Sequence, residues 1–176
     1  PAPVRNFLLR TSLLEEFNEE FCKTVLGNPP SGDSWSNLMA LVTQSNLFVQ
    51  SVGDRGAWLR YHHLFRDFLQ AQIAKNDPEE EKHILRRLMN VYAYREEWEK
   101  AYSVCQRLED ESLTAHLVLK ASPYLAQSGR MKALADWIDN LSERDKEVDP
   151  ALYTFRGGAA VMLGKVEYGI TLLDKA

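Results

Sequence analysis

Cysteine is scarce: Cys22 and Cys105 are the only two in 176 residues, far apart in unrelated contexts. That excludes a disulfide framework and reads as two buried thiols. With four scattered histidines they offer no zinc spacing either. Long apolar runs are missing too. Leu117-Val118-Leu119 and Val161-Met162-Leu163 fall far short of the roughly 20 residues a membrane helix needs. The N-terminus has no basic start followed by an apolar stretch, so no signal peptide is read there, and the expected location is the cytoplasm. Nor is there a basic excess. Residues 1–75 hold 7 basic and 7 acidic side chains and residues 76–176 hold 14 and 18, for a net charge of −4. Phosphate-backbone binding demands the opposite balance, so direct nucleic-acid contact is not expected.

Catalytic signatures are also absent. No Gly-x-x-x-x-Gly-Lys-Ser/Thr loop cradles phosphates, and no Gly-x-Ser-x-Gly elbow presents a nucleophile. Acidic groups such as Glu15-Glu16 and Glu79-Glu80-Glu81 stand where helix starts are expected, and the helix dipole explains them. The chain is therefore expected to be non-catalytic, with no cofactor and no metal of its own. Opening on Pro1 and ending at Ala176 within a helical pattern, it is expected to be a piece of a longer polypeptide.

What is present is a helical pattern with one interruption. Leu13, Leu14, Phe17, Phe21, Val25 and Leu26 form a stripe that predicts a helix over 13–26, capped by Thr11 or Ser12. Gly27-Asn28-Pro29-Pro30-Ser31-Gly32 stops it. Asp33 or Ser34 caps a second helix facing inward through Trp35, Leu38, Leu41 and Val42. Residues 47–52 and 57–61 are β-prone and flank Gly53-Asp54-Arg55-Gly56, which predicts a hairpin. A third helix follows, with Leu64, Phe65, Phe68, Leu69 and Ile73 as its apolar face. Helix, helix, hairpin, helix within about 70 residues is a winged-helix-like order.

Asn76-Asp77-Pro78 breaks the pattern, with Asp77 as cap and Pro78 in the first turn of a new helix. The boundary is placed here: a winged-helix domain over 1–76 and a helical arm over 77–176. The arm repeats. Glu97-Trp98-Glu99-Lys100-Ala101, Arg130-Met131-Lys132-Ala133-Leu134 and Lys165-Val166-Glu167-Tyr168-Gly169 align at offsets of 33 and 35 residues. Gly129 and Gly164 precede the last two, and Glu96 holds that place in the first. A period near 34 with a turn before a second helix marks tetratricopeptide-like α-hairpins, which must stack to bury their apolar faces. The fold class is mainly α: a winged-helix-like domain with a small β-hairpin, then tetratricopeptide-like repeats.

Few residues invite a chemical reading. His62 and His63 are adjacent, so they do not share a helix face and make a poor metal pair. Gly157-Gly158 reads as close helix packing, not a phosphate loop. Trp58, Trp98 and Trp137 read as packing residues, with an aromatic binding face as the alternative.

Three blocks carry a resemblance: Phe7-Leu8-Leu9-Arg10-Thr11-Ser12-Leu13-Leu14, Ser45-Asn46-Leu47-Phe48-Val49, and Trp58-Leu59-Arg60-Tyr61-His62-His63-Leu64-Phe65-Arg66-Asp67-Phe68-Leu69. They resemble the region following the nucleotide-binding domain in large ATP-binding LuxR-type transcription regulators of the maltose-activator-like kind. These belong to the signal-transduction ATPases with numerous domains (STAND). The resemblance is close over residues 4–75 and one of kind beyond residue 78. It implies a cytoplasmic regulatory segment between an ATPase domain before Pro1 and a sensor region after it, with both of these intramolecular partners absent from the chain.

In such proteins the winged helix is a regulatory contact surface that stabilises the ADP-bound resting state, and activation can bring oligomerisation. ATP and ADP would be ligands of the full polypeptide, which would hydrolyse ATP. A winged-helix histidine in a Met-His-Asp-like motif reaches the β-phosphate of ADP in related proteins. Tyr61-His62-His63-Leu64 matches it with His62 in the histidine place and His63 where the acid stands. An imidazole at a helix start points where an anion sits, which makes the transfer physically sensible. The alternatives are a protein- or peptide-binding repeat scaffold and a DNA-binding winged helix.

Overall fold

A computed structural model describes residues 2–29, 32–45, 48–53, 57–144 and 149–176. Helices dominate, and the chain divides into two compact units, Pro1–Val91 and Tyr92–Ala176.

The first unit opens with a helix the sequence pattern hides. α1 spans Ala2–Thr11, and α2 spans only Glu19–Leu26. The stripe that predicts one helix from residue 13 is real as a buried surface, since Leu13, Leu14 and Phe17 are almost fully covered. Its carrier is different. Residues 12–17 form turns, and Phe17 pairs with the hairpin as an isolated bridge, exchanging both backbone bonds with Leu59 at 2.9 and 2.8 Å. Asn18, not Thr11 or Ser12, caps α2 by accepting from Phe21 N at 2.8 Å. Thr11 and Ser12 instead close α1, donating to the carbonyls of Phe7 and Leu9 at 2.7 Å each. Glu19 and Glu20, not Glu15 and Glu16, sit in the first turn of α2.

α3 (Trp35–Gln44) is capped by Ser34, whose Oγ accepts from Asn37 N at 3.1 Å. Of its expected inner face, Trp35, Leu38 and Val42 are buried, whereas Leu41 is 50% exposed. β1 (Val49–Val52) and β2 (Trp58–Tyr61) pair antiparallel with Val49 opposite Tyr61 and Val52 opposite Trp58. The expected hairpin is therefore present. Leu47 and the turn residues Asp54, Arg55 and Gly56 lie outside the described residues. α4 (His63–Asn76) and α5 (Pro78–Tyr94) up to Val91 complete the unit. The core centres on Phe7, whose ring lies 6.1 Å from Phe17 and 5.9 Å from Trp35, with Tyr61 5.1 Å from Phe17. Burying each such side chain stabilises by roughly 1.5–3 kcal/mol.

Asp77 caps α5 through its Oδ1, 3.2 Å from Glu80 N. The compact division falls later than this junction, because the start of α5 is bound into the first unit. Arg10 pairs with Glu80 at 2.9 Å and donates to Leu26 O at 2.8 Å. Arg87 donates to Thr24 O at 3.1 Å, and Ile84, Leu85 and Leu88 are buried.

The second unit is built from α6 (Trp98–Leu108), α7 (Glu111–Gln127), α8 (Met131–Asp139), α9 (Ala151–Met162) and α10 (Val166–Leu173). The aligned turns share one hydrogen-bond pattern. Glu96 N bonds Ala93 O and Glu97 N bonds Tyr92 O; Gly129 N bonds Ala126 O and Arg130 N bonds Leu125 O; Gly164 N bonds Val161 O and Lys165 N bonds Ala160 O. The residue before each aligned block has positive φ: 58° at Glu96, 72° at Gly129 and 82° at Gly164. This paired pattern closes a helix on a left-handed residue. The repeat read from sequence is a repeat of structure.

Candidate functional site

His62 lies between β2 and α4. Its backbone is extended (φ −57°, ψ 135°), and it occupies the cap position of α4 without making a side-chain capping bond. Two backbone bonds hold it: its N–H donates to Phe48 O at 2.8 Å, and its carbonyl accepts from Arg66 N at 3.0 Å. The imidazole is half-buried and lies 4.3 Å from the exposed ring of His63. No acidic residue occupies the first turn of α4. A helix start that carries partial positive charge is thus left without a side-chain acceptor.

Arg66 follows one turn along and so shares the face of His62. Its Nε has no hydrogen-bond partner but forms a long ion pair with Asp67 Oδ1 at 3.9 Å. Sequence reading passed over Arg66, although its spacing of four from His62 was there to be seen.

The surroundings are apolar and open. Phe48 adopts a left-handed backbone (φ 52°), rarely held by a bulky side chain. Its ring is 63% exposed and rests on Phe65 at 5.4 Å, and Phe65 in turn meets Tyr61 at 5.8 Å. Leu64 and Phe68, expected on the inner face of α4, are 67% and 57% exposed; Leu69 and Ile73 carry the burial. Among the described residues of the first unit, the large apolar side chains left exposed are Leu41, Phe48, Leu64 and Phe68. Three of these four lie on α4 or directly against it.

The other readings resolve as packing. Trp98 and Trp137 are buried, and Trp137 stacks flat on Tyr102 at 4.2 Å. Trp58 packs on Phe21 at 5.8 Å. Gly157 lies in a tight helix crossing, where an added Cβ would come within 2.9 Å of Gly169 O, whereas Gly158 faces open space. Cys22 and Cys105 are free and buried. Burial pushes the Cys22 thiol up to about 12 and the Cys105 thiol up to about 11. Among the described residues, no group of three or more His, Cys, Asp or Glu could hold a metal, and no helix is long and apolar enough to cross a membrane.

Residues 1–81 match the MalT winged helix domain family. The chain is similar to the HTH-type transcriptional regulator MalT of Klebsiella pneumoniae subsp. pneumoniae, 36% identical over 69 residues, or 39% of this chain and 7% of that protein. It is also similar to the regulator of the same name from Vibrio parahaemolyticus (22% over 172 residues, 98% of this chain and 19% of that protein). For the one from Vibrio cholerae the figures are 22% over 148 residues, 84% and 16%. The chain thus spans less than a fifth of the length of these curated relatives. No solved structure matches it.

Proposed function

We propose, from the match of residues 1–81 to the MalT winged helix domain family, that this chain is a segment of a transcription regulator that couples an ATP-binding domain of the same polypeptide to a sensor region beyond it. In this reading the winged helix holds the ATPase domain closed in the ADP-bound state. The hairpins that follow are of the tetratricopeptide-like kind and carry the inducer signal to that contact.

The observation that carries the reading is the start of α4. His62 holds the cap position of α4 and Arg66 follows one turn along, with Phe48, Leu64 and Phe68 exposed on or against the same helix. Such a start attracts an anion. Exposed apolar side chains around it suit a protein surface that brings the anion with it and excludes water. His62 supplies a hydrogen bond to a phosphate oxygen, and Arg66 adds positive charge one turn along. A nucleotide needs its main cradle elsewhere, which fits a ligand shared with a neighbouring domain.

The test uses the full-length polypeptide with His62→Ala. A hydrogen bond to a charged group is worth about 1.5–3 kcal/mol, so ADP affinity should fall about 10- to 100-fold. Transcription without inducer should rise. Unchanged ADP affinity and unchanged basal activity would overturn the assignment of His62. Leu64→Ser with Phe68→Ser probes the contact separately: in the full-length polypeptide it should raise basal activity with a smaller loss of ADP affinity than His62→Ala.

A further inference from the structure

Among the described residues, three that are not glycine adopt a left-handed backbone: Phe48, Glu96 and Glu109. Two of them have an ordinary cause. Glu96 follows the end of α5 in the aligned turn, and Glu109 is the C-terminal cap of α6. A left-handed residue at a helix end satisfies the last carbonyls. Phe48 closes no helix, since Ser45 caps α3. It is also the bulky aromatic of the three, the kind of side chain for which this conformation is a true outlier. Core burial does not account for it, because its ring is 63% exposed.

Two contacts hold Phe48, and both lead to His62. Its carbonyl accepts from His62 N at 2.8 Å, and its ring rests on Phe65 at 5.4 Å. The hairpin pairs Val49 with Tyr61, so Phe48 and His62 stand at the next rung of the ladder. A full rung of this type exchanges a bond in each direction. Here the His62 carbonyl instead accepts from Arg66 N at 3.0 Å and starts α4. His62 therefore has its N–H in the hairpin and its carbonyl in the helix. The Phe48 carbonyl is what ties it to the hairpin. Phe65, in the first turn of α4, also meets the ring of Tyr61 at 5.8 Å, so the Phe48 ring bears on a pair that brackets His62.

We propose that Phe48 is a positioning residue for His62. Its strained backbone aims the carbonyl that fixes the His62 backbone, and its ring on Phe65 holds the strain in place. Such strain persists only where the surroundings over-determine it, and it gathers at sites that need one fixed geometry. The bearing of Phe48 on nucleotide binding rests on the reading of His62 as the phosphate contact; its hold on the His62 backbone does not. An alanine at 48 keeps the cost of the left-handed form and loses the ring that offsets it, so the backbone relaxes and the carbonyl leaves His62. A glycine adopts the same φ freely and keeps the carbonyl bond without the ring. A ring that served only as packing would make the two equivalent, or glycine the worse.

The experiment uses the full-length polypeptide with Phe48→Ala, Phe48→Gly, His62→Ala and the double variant Phe48→Ala with His62→Ala. A side chain this exposed can be replaced without unfolding the domain. Amide exchange, read by mass on overlapping peptides, follows the His62 N–H. It should run about fivefold faster in Phe48→Ala than in Phe48→Gly, the factor that the left-handed penalty of a Cβ implies. Equal exchange in the two variants overturns the positioning role, whatever nucleotide binding does. ADP affinity is the second readout. It should fall in Phe48→Ala and recover in Phe48→Gly. Adding Phe48→Ala to His62→Ala should change it by less than about twofold, because Phe48 acts through His62. Full additivity in the double variant also overturns the proposal, since Phe48 would then act on the nucleotide apart from His62. The expected exchange combined with unchanged ADP affinity in His62→Ala supports the positioning role and removes the nucleotide reading alone.

Discussion

The hydroxyl of Tyr61 lies 2.7 Å from Thr11 Oγ1, joining the last residue of β2 to the last residue of α1. Thr11 already donates to Phe7 O at 2.7 Å, so Tyr61 is the donor and Thr11 the acceptor. Both groups are buried, and burial raises the Tyr61 phenol well above its ordinary value. The bond fixes the backbone one residue before His62. Its direction makes the two deletions unequal. Thr11→Val leaves a buried phenol without an acceptor and should cost about 1–3 kcal/mol, whereas Tyr61→Phe should cost only about 0.5–1.5 kcal/mol. Urea unfolding of the two variants measures the difference, and a larger loss for Tyr61→Phe would reverse the donor assignment.

The three aligned turns predict an opposite effect for glycine in different copies. Glu96 holds φ 58°, a conformation that an L side chain adopts at a cost of about 1 kcal/mol. Glu96→Gly should relieve it and raise stability by up to about 1 kcal/mol, less the entropy glycine gains when unfolded. Gly129→Ala and Gly164→Ala, at φ 72° and 82° with no atom within 4 Å of an added Cβ, should each lower stability by about 1 kcal/mol through backbone strain alone. Thermal unfolding of the three variants tests whether these turns are one motif.

That motif was legible because it has a chemical mark. Glycine recurs at Gly129 and Gly164, and the apolar positions around them keep register, so the repeat is readable even where Glu96 breaks the glycine pattern. The hairpin was legible for a similar reason, since two β-prone runs flank glycines. α1 was not. Leu13, Leu14 and Phe17 are buried as a helical stripe requires, but a chain turning across a core can bury the same side chains, and periodicity alone does not separate the two. The surface of α4 was misread in the same way. Leu64 and Phe68 have the composition of an inner face, and only the fold shows them turned outward. His62 was singled out through the family motif, while Arg66, four residues away and without any such motif, drew notice only with the helix start in place.

The thiols carry a pH dependence with a definite sign. Cys22 is raised from an ordinary 9.0 to about 12, chiefly by burial, with Arg10 pulling the other way. The folded state therefore holds its proton where the unfolded state releases it. The associated stability is complete below about pH 9 and is lost as pH rises from there toward about 12. Cys105, raised to about 11, acts in the same direction. At pH 8 both should react with Ellman's reagent at the rate of unfolding rather than of thiolate attack. Adding denaturant should release both at once if the units unfold together, and in two steps if they unfold separately. Fast stoichiometric reaction of either thiol in native buffer would contradict its burial.

The crossing of α9 and α10 sets apart two adjacent glycines. A Cβ on Gly157 would come within 2.9 Å of Gly169 O and 2.8 Å of Leu173 Cγ, and one on Gly169 within 2.8 Å of Gly157 O and 3.1 Å of Val161 N. Each glycine is the space into which the other helix's backbone fits. Backbone cannot step aside as a side chain can, so Gly157→Ala and Gly169→Ala must push the helices apart. Each should cost about 1–3 kcal/mol, the range for overpacking a close contact. Gly158 meets nothing within 4 Å, and Gly158→Ala should instead stabilise α9 by about 0.5–1 kcal/mol, because alanine loses less backbone freedom on folding. The double variant Gly157→Ala with Gly169→Ala should lose less than the sum of its parts, because the first separation of the helices already makes room for the second methyl. Denaturant midpoints for the four variants read all of this. An additive double variant would mean that the two glycines do not share one crossing.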